Sequence, residues 1–343
     1  MLGKFLLYPF SILYDLVTSW RNKLYDTSQK KSVSFDVPVV NVGNLTVGGT
    51  GKTPHVTMLA EVFTKLFDYK VAVLSRGYGR KTKGYHLANK KITSSEIGDE
   101  PLQIFQAFQG RVPVAVCEER LVGIPFLLQD FPEIDLIILD DAFQHRKVRP
   151  RLNVLLCDYN RPFYKDFLLP AGRLRESRKG AKRADVVVVT KTPESLDKHE
   201  MGEIKASIKR YTQAPVFFSK YKYLPPRNFA GKEIVSINRV VLVTGIANTH
   251  YLLSYIKHKY HLQKHFEFAD HIKFTDKHIK QIKTYFDSVP KEGTVVLTTE
   301  KDKVKLNELL SKEEDIPFYF LPIKCEIIED EEKFTSFLKK GVE

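Results

Sequence analysis

The residues best suited to chemistry lie in one glycine-rich stretch, GNLTVGGTGKT at positions 43–53. An apolar strand pattern at 37–42 precedes this stretch, and apolar residues with helical spacing follow it at 56–67. Where a glycine-rich turn joins a strand to a helix, free backbone N–H groups and the helix dipole attract anions. The closing Gly51-Lys52-Thr53 is typical of a P-loop, in which the lysine reaches the β- and γ-phosphates and the threonine holds Mg²⁺.

We therefore predict a nucleoside triphosphate site, although Thr46 stands where the P-loop motif has its first glycine. The predicted nucleotide-binding residues are Thr46, Gly48, Gly49, Thr50, Gly51, Lys52 and Thr53. The second strong signal is an apolar run at 134–139 that ends in Asp140 and Asp141. Carboxylates at the C-terminal end of a parallel strand, downstream of a P-loop, are suited to binding Mg²⁺. Thr53, Asp140 and Asp141 are the predicted metal ligands.

Composition restricts the choice of partner. The chain has 343 residues and a net charge of +13, with cationic clusters at 146–151 and 173–183. Such charge favours an acidic partner: nucleic acid, anionic lipid or a phosphorylated substrate. No nucleic-acid-binding motif accompanies the charge, so we predict no nucleic-acid partner. The three cysteines are far apart, which argues against a disulfide framework or a cysteine metal site.

The N-terminal residues are rich in large apolar and aromatic side chains. On a helix they form a broad apolar face beside a narrower polar stripe. Pro9 and Asp15 interrupt the apolar run, which argues against a spanning helix. A helix packed on the body of the protein is a second alternative. We favour an amphipathic, membrane-associated helix over residues 1–25.

Continuous apolar strands that alternate with helices predict an α/β fold, with a P-loop NTPase-type parallel sheet covered by helices on both faces. We assign this P-loop domain to residues 26–224. A hinge pattern at 221–226 is followed by new βα units, which predict a second, smaller α/β lobe over 225–343.

Three classes of P-loop protein compete at this point. A GTPase switch would have a glycine three residues after its aspartate, and none follows Asp140 or Asp141 there. A membrane-cycling, partitioning-type ATPase would have a signature lysine where this chain has Val47. A small-molecule kinase with a membrane-associated substrate is the third class. Asp99, at the start of a predicted helix, has either a capping role or a chemical one.

The motifs together resemble those of the tetraacyldisaccharide 4′-kinases of lipid A biosynthesis. The matching segments, in the family's order, are 42–54, LSRGYG at 74–79, GDEP at 98–101, LDDAFQHR at 139–146, LPAGRLRE at 169–176, ADH at 269–271 and TEKD at 299–302. The chain departs from the family at Ala142, where we expect glycine, and at Ile272, where a second histidine is common. The region after Asp302 matches weakly.

The resemblance implies transfer of the γ-phosphoryl group of ATP, with Mg²⁺, to the 4′-hydroxyl of a tetraacyldisaccharide 1-phosphate. It implies that Asp99 is the base for that hydroxyl and that His271 assists it. Residues expected to bind the glycolipid substrate are Asn44, Arg76, Arg146, Arg173 and Arg175. The enzyme is then expected at the cytoplasmic face of the bacterial inner membrane, either peripheral or anchored through its N-terminal helix.

Overall fold

The computed structural model describes residues 2–234, 236–270, 272–310 and 316–343. The larger sheet has nine strands, eight from residues 39–223 and one from residues 323–327. They are β1 (Val39–Asn44), β2 (Val71–Ser75), β3 (His86–Leu87), β4 (Val114–Val116), β5 (Leu136–Asp140), β6 (Leu152–Asp158), β7 (Val186–Thr190), β8 (Val216–Tyr223) and β14 (Ile323–Ile327). Their order in the sheet is β14-β8-β7-β6-β1-β5-β2-β4-β3. Neighbouring strands run parallel except β3 and β14, which are the antiparallel edges.

Helices cover both faces of this sheet, as the uninterrupted apolar strands predict. The helices of the first part of the chain are α1 (Leu2–Asp26), α2 (Lys52–Lys65), α3 (Ser94–Ile97), α4 (Asp99–Ala107), α5 (Arg120–Asp130) and α6 (Lys198–Lys209). Successive residues of β1 point to opposite faces: Val40 joins the core under α2 and α4, and Val39 joins the core under α5. The expected doubly covered parallel sheet is confirmed.

A second sheet follows, in the order β11-β10-β12-β13-β9. Its strands are β9 (Arg227–Asn228), β10 (Arg239–Thr244), β11 (His261–Glu267), β12 (Thr294–Thr299) and β13 (Phe318–Leu321). The remaining helices are α7 (His250–Lys259), α8 (Asp276–Asp287), α9 (Glu300–Leu310) and α10 (Glu331–Val342). All strand pairs of this sheet are parallel except β13 with β9. The smaller α/β lobe is therefore built around its own sheet.

The end of the chain returns to the first sheet. Strand β14 pairs with β8, and buried residues of α10, among them Phe334 and Leu338, belong to the core beneath α2. The physical reason is that α10 is strongly amphipathic and its apolar stripe fills the face next to β6. The division into 1–25, 26–224 and 225–343 stays a prediction, but β14 and α10 lie with the first sheet and not with the second.

Element types agree with the sequence patterns, and boundaries differ by a few residues. Strand β1 covers 39–44 where the pattern indicates 37–42, because Pro38 has no N–H for a sheet ladder. Helix α2 covers 52–65 where the pattern indicates 56–67. Its first turn carries the P-loop residues, whose polar side chains hide the helical periodicity.

Candidate active site

The glycine-rich stretch forms the turn between β1 and α2. Gly51 has a φ of 86° and immediately precedes Lys52, the first residue of the helix. This left-handed conformation requires glycine, and a Cβ on Gly51 would also collide with the Tyr221 hydroxyl. The N-terminal N–H groups of α2 therefore open towards the loop, as an anion site requires.

Two polar contacts hold the loop from inside the sheet. Asn44 Nδ2 donates a hydrogen bond of 2.6 Å to Thr50 Oγ1, and Thr190 Oγ1 donates one of 2.9 Å to the Thr50 carbonyl. All three residues are buried. Lys191 contacts the Gly49 carbonyl and forms an ion pair of 2.6 Å with Asp158. These contacts fix the loop to β1, β6 and β7.

The buried His55 connects the P-loop to strand β8. His55 Nδ1 lies 2.7 Å from the Gly51 carbonyl, and Nε2 lies 2.8 Å from Ser219 Oγ. Since a carbonyl only accepts, Nδ1 carries the proton and Nε2 accepts from the serine. Burial lowers the pKa of His55 to about 4, so the ring stays neutral at physiological pH. This role depends on Ser219 in β8, a partner that the local sequence around His55 does not indicate.

The segment 173–175 runs beside the first half of the loop. Backbone hydrogen bonds of 2.8 Å join Val47 N to the Arg173 carbonyl and Arg175 N to the Leu45 carbonyl. This pairing places Arg173 close to Gly48 and directs Arg175 towards the ends of β1 and β5. Two arginines expected to bind substrate therefore lie at the P-loop although they are over 120 residues away in sequence.

The aspartates at the end of β5 have different surroundings. Asp141 is 2.7 Å from Arg175 Nη2 and 3.7 Å from Lys52 Nζ. Burial alone would raise the pKa of Asp141, but the charges of Lys52 and Arg175 outweigh it and hold that pKa below its usual value. Arg175 also contacts the side chain and the carbonyl of Asn44. P-loop, β5 and the arginine segment thus meet in one cluster.

Asp140 is almost fully buried, and only one of its oxygens is hydrogen-bonded within the described chain. Oδ2 accepts from Ser75 Oγ at 3.0 Å, whereas Oδ1 has no such partner there. Burial, with the nearby charges of Glu100 and Asp141, raises the pKa of Asp140 to about 7. A buried carboxylate oxygen without a donor is the feature that a divalent cation would satisfy.

The donor set around this oxygen suits Mg²⁺. Within the described ranges, no cluster of three or more His, Cys, Asp or Glu side chains could hold a metal by itself. Mg²⁺ needs no such cluster, since it is usually bound through one or two carboxylates, waters and substrate phosphates. Asp140, Asp141 and the Thr53 hydroxyl at the start of α2 are oxygen donors of this kind and fit the ion.

Arg120, which belongs to none of the motifs in the sequence, holds the backbone of the aspartate pair. Its side chain is buried, and Nη2 donates to the carbonyls of Asp140 and Asp141 at 3.2 and 3.5 Å. Nη1 donates to the Cys117 and Glu118 carbonyls. Because every acceptor is a backbone carbonyl, the guanidinium fixes the ends of β4 and β5 together. An arginine at the first position of a helix after a buried strand was the available signal.

Asp99 is the first residue of α4, and it is not the cap of that helix. The cap is Gly98, whose φ of 93° and ψ of 157° only glycine adopts readily. The capping role considered for Asp99 is therefore wrong, because its own backbone is already helical. Asp99 Oδ2 lies 3.2 Å from Lys305 Nζ of α9. His271, the expected assistant, lies outside the described residues.

The other predicted substrate residues divide into two groups. Arg76 is exposed on the loop after β2, and Arg173 is exposed beside Gly48. Arg146 instead holds the N-terminal helix: Nη1 donates to the Asn22 carbonyl and Nη2 to Asp26, both at 2.7 Å. Its guanidinium also lies 5.1 Å from the centre of the Tyr25 ring. In this structure Arg146 connects α1 to the loop after β5.

A P-loop at the end of a parallel strand, with paired aspartates on the neighbouring strand, defines a P-loop nucleoside triphosphate-binding protein. The model of the family described as tetraacyldisaccharide-1-P 4′-kinase matches residues 3–343. The chain therefore belongs to the tetraacyldisaccharide-1-P 4′-kinase family. This finding removes the GTPase and the partitioning-type ATPase as alternatives.

Individual proteins agree with the family match. A tetraacyldisaccharide 4′-kinase of Cytophaga hutchinsonii is 46% identical, and the match covers 99% of this chain and 96% of that protein. One from Bacteroides thetaiotaomicron is 42% identical over 97% of this chain and 91% of its own length. The crystal structure of LpxK from Aquifex aeolicus in complex with ATP has a TM-score of 0.79 and 32% identity, with all of both chains covered.

Proposed function

We propose that this chain transfers the γ-phosphoryl group of ATP to the 4′-hydroxyl of a tetraacyldisaccharide 1-phosphate, a step of lipid A biosynthesis. One observation carries the proposal: in a member of this family, Lys52 and Arg175 converge on Asp141 beside the P-loop. Phosphoryl transfer depends on positioning and on neutralising charge more than on covalent chemistry. This cluster supplies both.

The proposed roles follow from where each group lies. The N–H groups of Gly49, Gly51, Lys52 and Thr53 bind the phosphate oxygens, with Thr46, Gly48 and Thr50 shaping the loop around them, and Lys52 exchanges its contact with Asp141 for the β- and γ-phosphates. Mg²⁺, when bound to Thr53, Asp140 and Asp141, would neutralise charge on the phosphate oxygens. Arg120 donates to the backbone carbonyls of Asp140 and Asp141 and so fixes the positions from which their carboxylates project.

We assign the base role to Asp99. After burial, the charge of Glu100 is the largest cause of the raised pKa of Asp140. Because Glu100 is in the first turn of α4, this supports that turn as a neighbour of the proposed metal site. A carboxylate there, held by Lys305, is suited to accept the proton of the substrate hydroxyl. His271 is proposed as its assistant on the resemblance alone. Asn44, Arg76, Arg173 and Arg175 are proposed to bind the anionic glycolipid near the loop.

We further propose that α1 lies on the membrane surface with its apolar side outward. Its polar side faces the protein: Ser11 Oγ donates to the Leu168 carbonyl at 3.0 Å, and Tyr14 OH to the Arg175 carbonyl at 2.9 Å. Large apolar side chains on α1 are 60–73% exposed, namely Leu6, Phe10, Leu13, Leu16, Val17 and Trp20. This orientation favours the interfacial anchor over the packed helix.

None of the helices in the described ranges is both long and apolar enough to cross a bilayer. The contact with Arg175 joins α1 to the proposed active site, which supports delivery of a lipid substrate from the membrane surface. Because the co-substrate is ATP, we propose the cytoplasmic face of the bacterial inner membrane as the place of action.

The test uses ATP labelled in its γ-phosphate, Mg²⁺ and tetraacyldisaccharide 1-phosphate. We expect label in the lipid, and its near-complete loss in Lys52→Ala. Lys65→Ala is the matched control, since Lys65 is on the same helix and pairs with Glu61 at the surface. Label that appears only in inorganic phosphate, or near-normal transfer by Lys52→Ala, would overturn the proposal.

A further inference from the structure

Helix α9 connects the second sheet to the helix that begins at Asp99. The two helices α4 and α9 pack against each other, and Gln103 Nε2 donates to Glu300 Oε2 at 3.4 Å. Glu300 is the first residue of α9, and Asp99 is the first residue of α4. Contacts from α9 therefore act on the turn that carries the proposed base.

Lys305 is the cationic residue of α9 that contacts Asp99. Its side chain is only 8% exposed, and Nζ lies 3.2 Å from Asp99 Oδ2 and 4.0 Å from Asp302 Oδ1. A buried ammonium group needs anionic neighbours to offset its lost hydration. Lys305 thus lies between a carboxylate of its own helix and the carboxylate of Asp99 on α4.

Asp302 fixes the lysine on the side of the second sheet. It is fully buried, and Oδ2 accepts hydrogen bonds from Gly245 N at 2.9 Å and Thr299 Oγ1 at 2.7 Å. These contacts join the ends of β10 and β12 to the first turn of α9. Because Asp302 cannot move independently of that sheet, Lys305 holds Asp99 relative to the whole smaller lobe.

We propose that Lys305 is a positioning residue for Asp99: it orients the carboxylate from the opposite lobe. This inference rests on the proposed function, in which Asp99 is the base. A base works only within hydrogen-bond reach of its proton, so the direction in which the Asp99 carboxylate points decides whether it can act. Asp99 is then aligned only while α9 is docked on α4, which couples the base to the relative position of the lobes.

The first test is Lys305→Met, assayed for lipid phosphorylation. We expect kcat to fall by roughly 10- to 100-fold, the range for a displaced catalytic group, with the KM for ATP nearly unchanged. Lys305→Arg, which keeps the charge, should recover part of kcat. Lys303→Met is the control: this lysine is on the same helix, but its Nζ lies 4.2 Å from the centre of the Phe320 ring and not beside Asp99.

The second test distinguishes positioning from a structural role. If Lys305 acts through Asp99, adding Lys305→Met to Asp99→Asn should reduce kcat no further than Asp99→Asn alone. A merely structural lysine would lower kcat by the same factor in both backgrounds. If Lys305→Met does not fold, Lys305→Met with Asp302→Asn replaces it, since an amide oxygen can still accept from Gly245 N and Thr299.

Three results would overturn the inference: a wild-type kcat in Lys305→Met, losses that multiply in the double variant, or an equal loss in Lys303→Met. A fully active Asp99→Asn variant would overturn the base assignment and this inference with it. A slow Asp99→Asn variant with multiplied losses would overturn this inference alone.

Discussion

The outward apolar face of α1 makes the sharpest prediction about how the protein meets its lipid substrate. Leu13 and Leu16 are 62% and 63% exposed, while Ser11 and Tyr14 on the opposite side contact the body. Replacing both leucines by glutamate therefore changes the surface without breaking a contact to the body. We expect Leu13→Glu with Leu16→Glu to fold normally and to bind membranes much less tightly.

The size of the effect follows from the exposed area. Fully burying a leucine side chain is worth about 1.5–3 kcal/mol, so the exposed two-thirds of each leucine leaves about 1–2 kcal/mol to gain in an apolar layer. Losing both leucines costs about 2–4 kcal/mol of binding free energy. At about 1.4 kcal/mol per factor of ten, that is roughly 30- to 700-fold weaker partitioning. Two added carboxylates beside anionic headgroups make the loss larger.

The assay is co-sedimentation with vesicles of phosphatidylethanolamine and phosphatidylglycerol, with the melting temperature measured on the same samples. Leu66→Glu with Val122→Glu is the matched control, because these residues are 61% and 48% exposed on other helices or their ends. The control should bind like wild type. Unchanged binding by the α1 variant, or a clear drop in its melting temperature, would show that α1 is not an interfacial helix.

Two further predictions concern the nucleotide site. Burial raises the pKa of Asp140 from an ordinary 3.8 to about 7. Between these two pH values the folded, Mg²⁺-free protein holds a proton on Asp140 that the unfolded chain has released. The free energy of unfolding therefore falls as the pH rises from about 4 to 7. Asp140→Asn should therefore be inactive but more stable than wild type at pH 8, by at most about 4 kcal/mol, and it should gain no stability below about pH 4. Denaturant unfolding at the two pH values measures the difference. A variant that is less stable than wild type at pH 8 would contradict the prediction. Gly51→Ala should lose about 1–3 kcal/mol of stability and most of its ATP affinity, because its φ of 86° is strained for alanine and its Cβ meets Tyr221. Gly49→Ala, whose Cβ has open space, should keep its stability in the same calorimetric scan, and equal losses in the two variants would refute the steric argument.

The sequence alone was enough to predict the type of most elements and the kind of chemistry. The P-loop at 43–53 and the aspartates that end β5 depend on local order, because a strand, a glycine turn and a helix are adjacent in the chain. Parallel strands end at the same edge, so the proximity of Lys52 to Asp140 and Asp141 also followed from pattern. The boundary of α2 did not, since its first turn is polar.

Tertiary structure decided what depends on distant segments. Nothing in the local sequence indicates that β14 returns to β8 or that Lys305 contacts Asp99 across two lobes. The position of Arg120 after a buried strand does not by itself show that this residue holds the carbonyls of Asp140 and Asp141. Asp99 shows the difference most clearly: its local sequence suggests a helix cap, whereas Gly98 takes that position and the carboxylate faces a lysine more than 200 residues later. Such pairs are selected by packing and by the cost of burying charge, which act between segments that only the fold brings together.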